Sequence, residues 1–135
     1  MAGYSDTDLP RKLGIKDGQV VYVENRPDDV DLSGFPTVRL MRRLPRSCDV
    51  TLTFHTSSRV LARRLPTLFE HTDVAGMVWV CWPKKTAQKS LGLRCDLSDG
   101  VVRALGLELG FVDVKVAAIN QTWSGLKFVR RLRDR

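Results

Sequence analysis

Four short stretches of this chain carry side chains that could bind or transform a ligand. Asn25 and Arg26 follow the run QVVYVE, and His55 to Ser58 follow DVTLTF; Trp82 to Lys85 close VAGMVWVCWPKK, and Thr122 to Ser124 sit in the polar bend NQTWSG. Ser57 or Ser58, at the start of a helix, would offer unpaired amides to an anion, and Lys84 and Lys85 would add positive charge. Trp82 or Trp123 provides a flat face for a base or ring. His55 is the candidate general acid or base, because an imidazole titrates near neutrality. His71, the other histidine, falls at a helix end where a cation favours the dipole, and Asp49 opens a strand and reads as a cap or as a solvent-facing residue at its edge. No Gly-x-Ser-x-Gly elbow, P-loop or His-Glu-x-x-His pattern occurs, and Cys48, Cys81 and Cys95 have no C-x-x-C spacing. Neither a catalytic triad nor a metal site is therefore expected, and Cys81 reads as core.

These stretches meet only if strands carry them to one edge. The residues from Met77 to Trp82 are apolar without interruption and stop at Pro83, which reads as a strand buried on both faces. Such a strand needs cover on either side, and its carboxyl end is where an open α/β sheet presents a ligand crevice. Gln19 to Glu24 is the first strand, Thr37 to Met41 a shorter second and Asp49 to Phe54 a third. About seven residues separate the second from the third, a reach of roughly 23 Å, which excludes a helical crossover and leaves an extended crossover or an antiparallel pairing.

Leu9 to Ile15 reads as a short helix with Pro10 near its start and Gly14 at its close, followed by a turn at Asp17-Gly18. Residues 25–36 read as loop with one helical turn at Asp28 to Leu32. Val60, Leu61, Leu65, Leu68 and Phe69 fall on one side of a helix that Pro66 should kink or split. Lys84 to Ser90 reads as a polar loop. Leu97 to Leu109 reads as a helix weakened by Gly100 and Gly106, with Val101, Val102, Leu105 and Leu109 facing the sheet. Phe111 to Ile119 and Leu126 to Leu132 form a closing hairpin.

Composition narrows the classes. A chain of 135 residues, 43% of them hydrophobic, fits one domain with its own core over residues 1–135. No run is long enough to span a membrane, and the start MAGYSDTDLP lacks the basic and apolar regions of a signal peptide, so a cytoplasmic protein without a membrane partner is expected. The formal charge of +7 suits anionic partners, but the basic residues are scattered in short groups interleaved with apolar positions. Any binding to nucleic acid should therefore be independent of sequence.

The phrase KLGIKDGQVVYVE resembles the helix, turn and first strand of class I methyltransferases, and CDVTLTFHTSS through WPKK resembles their fourth and fifth strands with the helix between. The resemblance implies an α/β fold, a single small Rossmann-like domain over residues 1–135 with a mostly parallel sheet and a C-terminal antiparallel hairpin. The stretches MAGYS, KLGIK, WPKK and TWSGL also resemble a family of small bacterial proteins, which implies the same fold and brings no activity with it. Methyltransferases of this class follow the first strand with a glycine-rich loop and end the second with an acid for the ribose hydroxyls. Here those positions hold Asn25-Arg26-Pro27 and Met41-Arg42-Arg43, so S-adenosylmethionine is not expected to bind and no cofactor is assigned.

The reading that follows is a non-catalytic binding or regulatory module with an anion or nucleotide crevice at the carboxyl edge of the sheet. The ligand-binding candidates are Asn25, Arg26, His55, Ser57, Ser58, Trp82, Lys84, Lys85, Trp123 and Ser124. Two alternatives stand beside it: an enzyme acting on a phosphorylated or nucleotide substrate with His55 as acid or base, and a basic adaptor that binds nucleic acid or an acidic protein.

Overall fold

A computed structural model of the protein describes residues 8–35 and 37–135; the MAGYS stretch lies outside them. Six strands form one sheet: β1 (Val20–Glu24), β2 (Arg39–Met41), β3 (Cys48–Phe54), β4 (Thr72–Pro83), β5 (Phe111–Ala118) and β6 (Trp123–Arg130), in the order β2-β1-β3-β4-β6-β5. The pairs β1 with β2, β1 with β3 and β3 with β4 are parallel, whereas β6 runs antiparallel to both β4 and β5. This is the expected mostly parallel α/β sheet with its antiparallel C-terminal hairpin.

β4 is longer at its start than its apolar stretch indicates, but the expected part is buried throughout from Met77 to Pro83. Its side chains alternate between two cores. Met77, Trp79 and Cys81 join Leu13, Ile15, Val21, Phe54 and Trp123 on one face, while Val78, Val80 and Trp82 join Leu61, Leu65, Phe69, Val102 and Phe128 on the other. Helices α2 (Ser58–Glu70) and α4 (Asp99–Glu108) cover the second face. The first is covered by the short helix α1 (Leu9–Lys12) and by the loop after β1, which buries Val30 and Phe35. Trp79 is wholly buried and its indole N–H donates to the carbonyl of Leu13 at 3.0 Å, tying the end of α1 to the central strand.

The second strand, for which either direction was open, is parallel. β2 pairs with the outer edge of β1, and residues 42–47 return to β3 on β1's other side as an extended crossover. His71 closes α2 and its Nδ1–H donates to the crossover carbonyls of Pro45 and Arg46 at 3.0 and 3.2 Å, so it anchors this loop beyond any effect on the helix dipole. Asp49 caps β1, accepting from the amide of Val20 at 2.8 Å.

Several local expectations are corrected. α1 stops at Lys12 and does not reach Ile15, and Asp28 to Leu32 holds a turn and no helical turn. Pro66 does not split α2: Ala62 and Pro66 are both exposed, so the carbonyl that loses its amide partner is solvated and the helix continues. Val60 is 53% exposed and does not share the buried face of α2. Lys84 to Ser90 is no loop, because α3 (Lys85–Leu91) begins after Lys84 and closes on Gly92 in the left-handed region at φ 65°. In α4, Val102 is buried, but Val101 and Leu109 are exposed and do not face the sheet. The hairpin's last strand begins at Trp123, three residues before the expected Leu126. No helix among the described residues is long and apolar enough to cross a membrane.

Gly106 has a packing role that outweighs its low helix propensity. A Cβ there would stand 2.1 Å from Cε1 of the buried Phe128 ring, so the glycine lets α4 approach β6. Replacing a helical glycine by alanine ordinarily stabilises by about 1 kcal/mol. Gly106→Ala is expected to do the opposite, lowering stability in urea denaturation by about 1–3 kcal/mol through overpacking; a gain in stability would show that the ring moves aside freely.

Candidate functional site

The carboxyl ends of β1 and β3 stand side by side, because Val23 and Glu24 pair with Leu52 and Thr53. This is the switch point where the chain leaves β1 for β2 on one side and later lays down β3 on the other, the place where an open α/β sheet takes its ligand. Asn25 makes the first turn out of β1 at φ 58°, the only positive value on a non-glycine among the described residues. Asparagine tolerates this left-handed conformation better than other non-glycine residues. Its Nδ2 donates to the carbonyl of Phe54 at 3.1 Å, joining the two strand ends.

Two concavities flank β1 here. The smaller, of about 280 Å³, is lined by Asn25, Phe54, His55, Thr56, Ser57, Val60 and Trp123. The larger, of about 700 Å³, lies over the loop after β1 and the end of β2, where Arg26, Asp28, Asp31 and Arg42 meet the apolar Val23, Leu32, Leu40 and Met41. Asn25, His55, Ser57 and Trp123 thus come together as the strand order implies, and Arg26 belongs to the neighbouring concavity.

His55 is 5% exposed, and burial lowers its pKa; Glu24 opposes the shift and Arg64 assists it. The hydroxyl of Thr53 donates to Glu24 Oε1 at 3.3 Å and stands 2.6 Å from His55 Nε2. With its hydrogen given to Glu24, the Thr53 oxygen accepts from Nε2–H, and Nδ1 keeps the lone pair. No buried side-chain nitrogen or oxygen among the described residues lacks a partner, so Nδ1 is the ring atom that reaches the smaller concavity. Glu24 is held from the far side by Arg64, whose Nε lies 2.6 Å from Oε2. A neutral, oriented imidazole results, able to accept one proton or hydrogen bond.

The expected anion site at the start of α2 is filled by the protein itself. Ser57 Oγ accepts from the amide of Val60, while the amide and hydroxyl of Ser58 both donate to Asp96, at 2.7 and 2.8 Å. Those bonds hold the Asp96 carboxyl below its usual pKa. The tryptophans also part company. Trp123 pairs across from Pro83 and joins the core of the first face, edge-on to Phe54 at 5.3 Å, whereas Trp82 pairs with Ser124 and lies in the second core. No ligand can lie between the two rings. Lys84 and Lys85 line neither concavity; Lys84 is half-buried and Lys85 exposed.

Two residues that sequence reasoning missed complete the edge. Asp29 Oδ1 accepts from the Trp123 indole at 3.2 Å and its carbonyl accepts from Asn120 Nδ2 at 2.8 Å. Asn120 Oδ1 in turn takes the amides of Thr122 and Trp123, so the hairpin bend is clamped onto the loop after β1. An asparagine opening a bend is the signal that could have found it. Among the described residues no group of His, Cys, Asp and Glu could hold a metal ion, and the three cysteines are free.

No family model matches the chain, and no curated protein matches it. Solved structures do. Magnesium protoporphyrin IX methyltransferase from Synechocystis PCC 6803 superposes with a TM-score of 0.62 at 12% identity, over 90% of this chain and 78% of that one. The pyocyanin biosynthetic protein PhzM gives 0.62 at 14% identity over 91% of this chain, which spans 53% of PhzM. A SAM-dependent methyltransferase from Thiobacillus denitrificans gives 0.59 at 10% identity, over 91% and 89% of the two chains. The fold is that of the class I methyltransferases. At these identities the likeness extends to the fold alone.

The neutral His55 makes a sign-specific prediction. Its folded pKa is below the ordinary value of about 6.5, so the unfolded chain binds the proton first and acidification favours unfolding. Stability should be level above about pH 6.5 and decline below it, before the carboxylates titrate. Denaturation midpoints measured against pH are expected to show this decline and to lose it between about pH 6.5 and 5 in His55→Gln; an unchanged profile in the variant would assign the decline elsewhere.

Proposed function

We propose that the protein is a non-catalytic binding or regulatory module that holds a phosphate-bearing nucleotide in the crevice over the loop after β1 and the end of β2. The observation that carries this reading is Arg42. It lines a concavity of about 700 Å³ at the strand end where a dinucleotide or methyltransferase site carries the acid that binds ribose hydroxyls, and an arginine at that place suits a phosphate. The volume is that of a small-molecule site. Val23, Leu32, Leu40 and Met41 supply apolar wall for a base.

Arg26 is committed to the protein, donating to the carbonyl of Val30 at 2.7 Å. Asp31 is likewise engaged, since its Oδ1 accepts from the amide of Ser33 at 2.8 Å. Arg42 is the cation this reading assigns to a phosphate and Asp28 the acceptor for a ribose hydroxyl or an exocyclic amine, while Arg26 keeps further N–H donors that could assist. S-adenosylmethionine is disfavoured on the same ground: its sulfonium is cationic, and the backbone after β1 runs through Arg26 and Pro27 where close approach needs glycine.

Titration calorimetry with adenosine, its phosphates and S-adenosylmethionine tests this. Phosphorylated nucleosides are expected to bind and the other two not to. Arg42→Ala should weaken binding tenfold or more, because a charge-assisted contact contributes about 1.5–3 kcal/mol and each 1.4 kcal/mol is about tenfold. Binding of S-adenosylmethionine, or equal binding by the Arg42 variant, would sink the proposal.

A second reading, an enzyme acting on a phosphorylated or nucleotide substrate, draws on the Glu24–Thr53–His55 chain that presents Nδ1 to the smaller concavity. It separates from the first by His55→Gln, which would abolish turnover and leave nucleotide affinity intact.

A further inference from the structure

The crevice over the loop after β1 carries charges of both signs, and they arrive from different segments. Val21 is in the first core and stands opposite Leu40, which places Leu40 on the same face as Val23. Arg42, two positions beyond Leu40, lines the crevice at the end of β2. The loop after β1 adds Arg26 and the carboxylates of Asp28 and Asp31. Arg26 donates to the carbonyls of Pro27 and Val30. The amide of Ser33 holds the Asp31 carboxyl below its usual pKa, so that group stays charged at neutral pH. One guanidinium against two carboxylates leaves the loop side negative on balance, while the strand end is positive.

Nucleotides differ in where they carry phosphate. In open α/β folds that bind dinucleotides, the ribose hydroxyls turn to the end of the second strand. The 5′-phosphate lies over the turn after the first strand, on a glycine-rich loop and a helix amino end. Here, among the described residues, no helix lies between β1 and β2. Pro27 has no amide to give, and the amides of Val30, Ser33 and Phe35 are bonded within the loop. A 5′-phosphate directed at that loop would also meet Asp28 and Asp31, like charges that repel it. A polyphosphate chain, charged at every phosphate, finds no matching row of cations. The ring hydroxyls would instead meet Arg42, whose guanidinium only donates. A phosphate esterified to one of those hydroxyls suits it, because the planar fork can give two parallel N–H bonds to phosphate oxygens. A free 5′-hydroxyl then donates to a loop carboxylate, which a 5′-phosphate cannot do.

We propose that the crevice selects nucleoside monophosphates whose phosphate is esterified to the ribose ring, at the 2′ or 3′ oxygen, over those phosphorylated at the 5′ oxygen. It rests on the nucleotide reading and adds where on the nucleotide the phosphate sits. Arg42 attracts the ring phosphate, and Asp28 and Asp31 exclude one at the 5′ position.

Titration calorimetry with adenosine 2′-, 3′- and 5′-monophosphate tests this, since the three isomers have the same composition and differ only in the place of the phosphate. At least one of the 2′ and 3′ isomers is expected to bind about tenfold or more tightly than the 5′ isomer. Adding a 5′-phosphate to the preferred isomer should give no gain in affinity. Arg42→Ala should weaken the ring-phosphate isomers about tenfold or more and change the 5′ isomer less. Asp28→Asn combined with Asp31→Asn should narrow the preference from the other side, by strengthening the 5′ isomer. Both aspartates are exposed, and an asparagine at position 31 can still accept from Ser33, so this variant should melt with the parent. Equal affinity for the three isomers, or a preference for the 5′ isomer, would overturn the inference and leave the nucleotide reading standing. An asparagine pair that binds the 5′ isomer no better than the parent does would overturn it as well. If none of the isomers binds, the nucleotide reading falls and this one falls with it.

Discussion

Burial of β4 on both faces is the constraint from which the rest of the architecture follows. Odd-numbered positions from Met77 to Cys81 enter one core and even-numbered positions from Val78 to Trp82 the other, so neither face can be left to water. On the second face the cover is conventional, the amphipathic helices α2 and α4. On the first it is improvised, because α1 contributes only Leu9–Lys12 and the remainder comes from the loop after β1. Val30 and Phe35 are 1% and 4% exposed in that loop. Burying a side chain of this kind contributes roughly 1.5–3 kcal/mol, so the segment that would cradle a cofactor in a methyltransferase serves here as part of the core's lid. A mobile glycine-rich loop could not do that.

This division explains what could be read in the residue order. An uninterrupted apolar run ending in proline has few interpretations, and β4 and its central place in the sheet both followed. The alternation in β5 and β6 and the polar bend between them were equally direct. The direction of β2 was not readable, since a strand of three residues, Arg39–Met41, carries too little pattern and residues 42–47 permit either course. Its crossover is held by a group distant in sequence, the His71 imidazole on the carbonyls of Pro45 and Arg46. α3 was hidden because KTAQKSL is polar on nearly every side, and only the helix-forming character of its residues and the following Gly92 marked it.

The site residues were legible to the extent that strand ends dictate them. Asn25, His55, Ser57 and Trp123 converge because β1, β3 and the hairpin bend end on one edge. Trp82 and Trp123 fail to converge for an equally simple reason: adjacent pleat positions point to opposite faces, and Trp123 stands opposite Pro83, one step beyond Trp82. The partners of Ser58 could not be foreseen. Asp96 lies far along the chain in a stretch without regular pattern, and nothing local links it to the start of α2.

That internal carboxylate changes where external anions can go. A helix amino end attracts negative charge through its free amides, and Asp96 takes the amide of Ser58 that a ligand phosphate would need. It also fixes the start of α2, and so the position of Arg64, which holds Glu24 and through Thr53 the tautomer of His55. The edge is therefore pre-organised around its own ion pairs, neutral at His55 and closed at the helix end. Other positive charge lies to either side of this edge, at Arg42 beyond β2 and at Lys115 and Lys127 beside the end of α1. In a chain with a formal charge of +7 this separation matters more than the total, because charges within about 10 Å act together while those farther apart are screened at ordinary salt. Arg42 follows β2 and Lys127 lies on β6, four strands away in the sheet order and so roughly 19 Å apart, which leaves them as separate charges rather than parts of one basic surface.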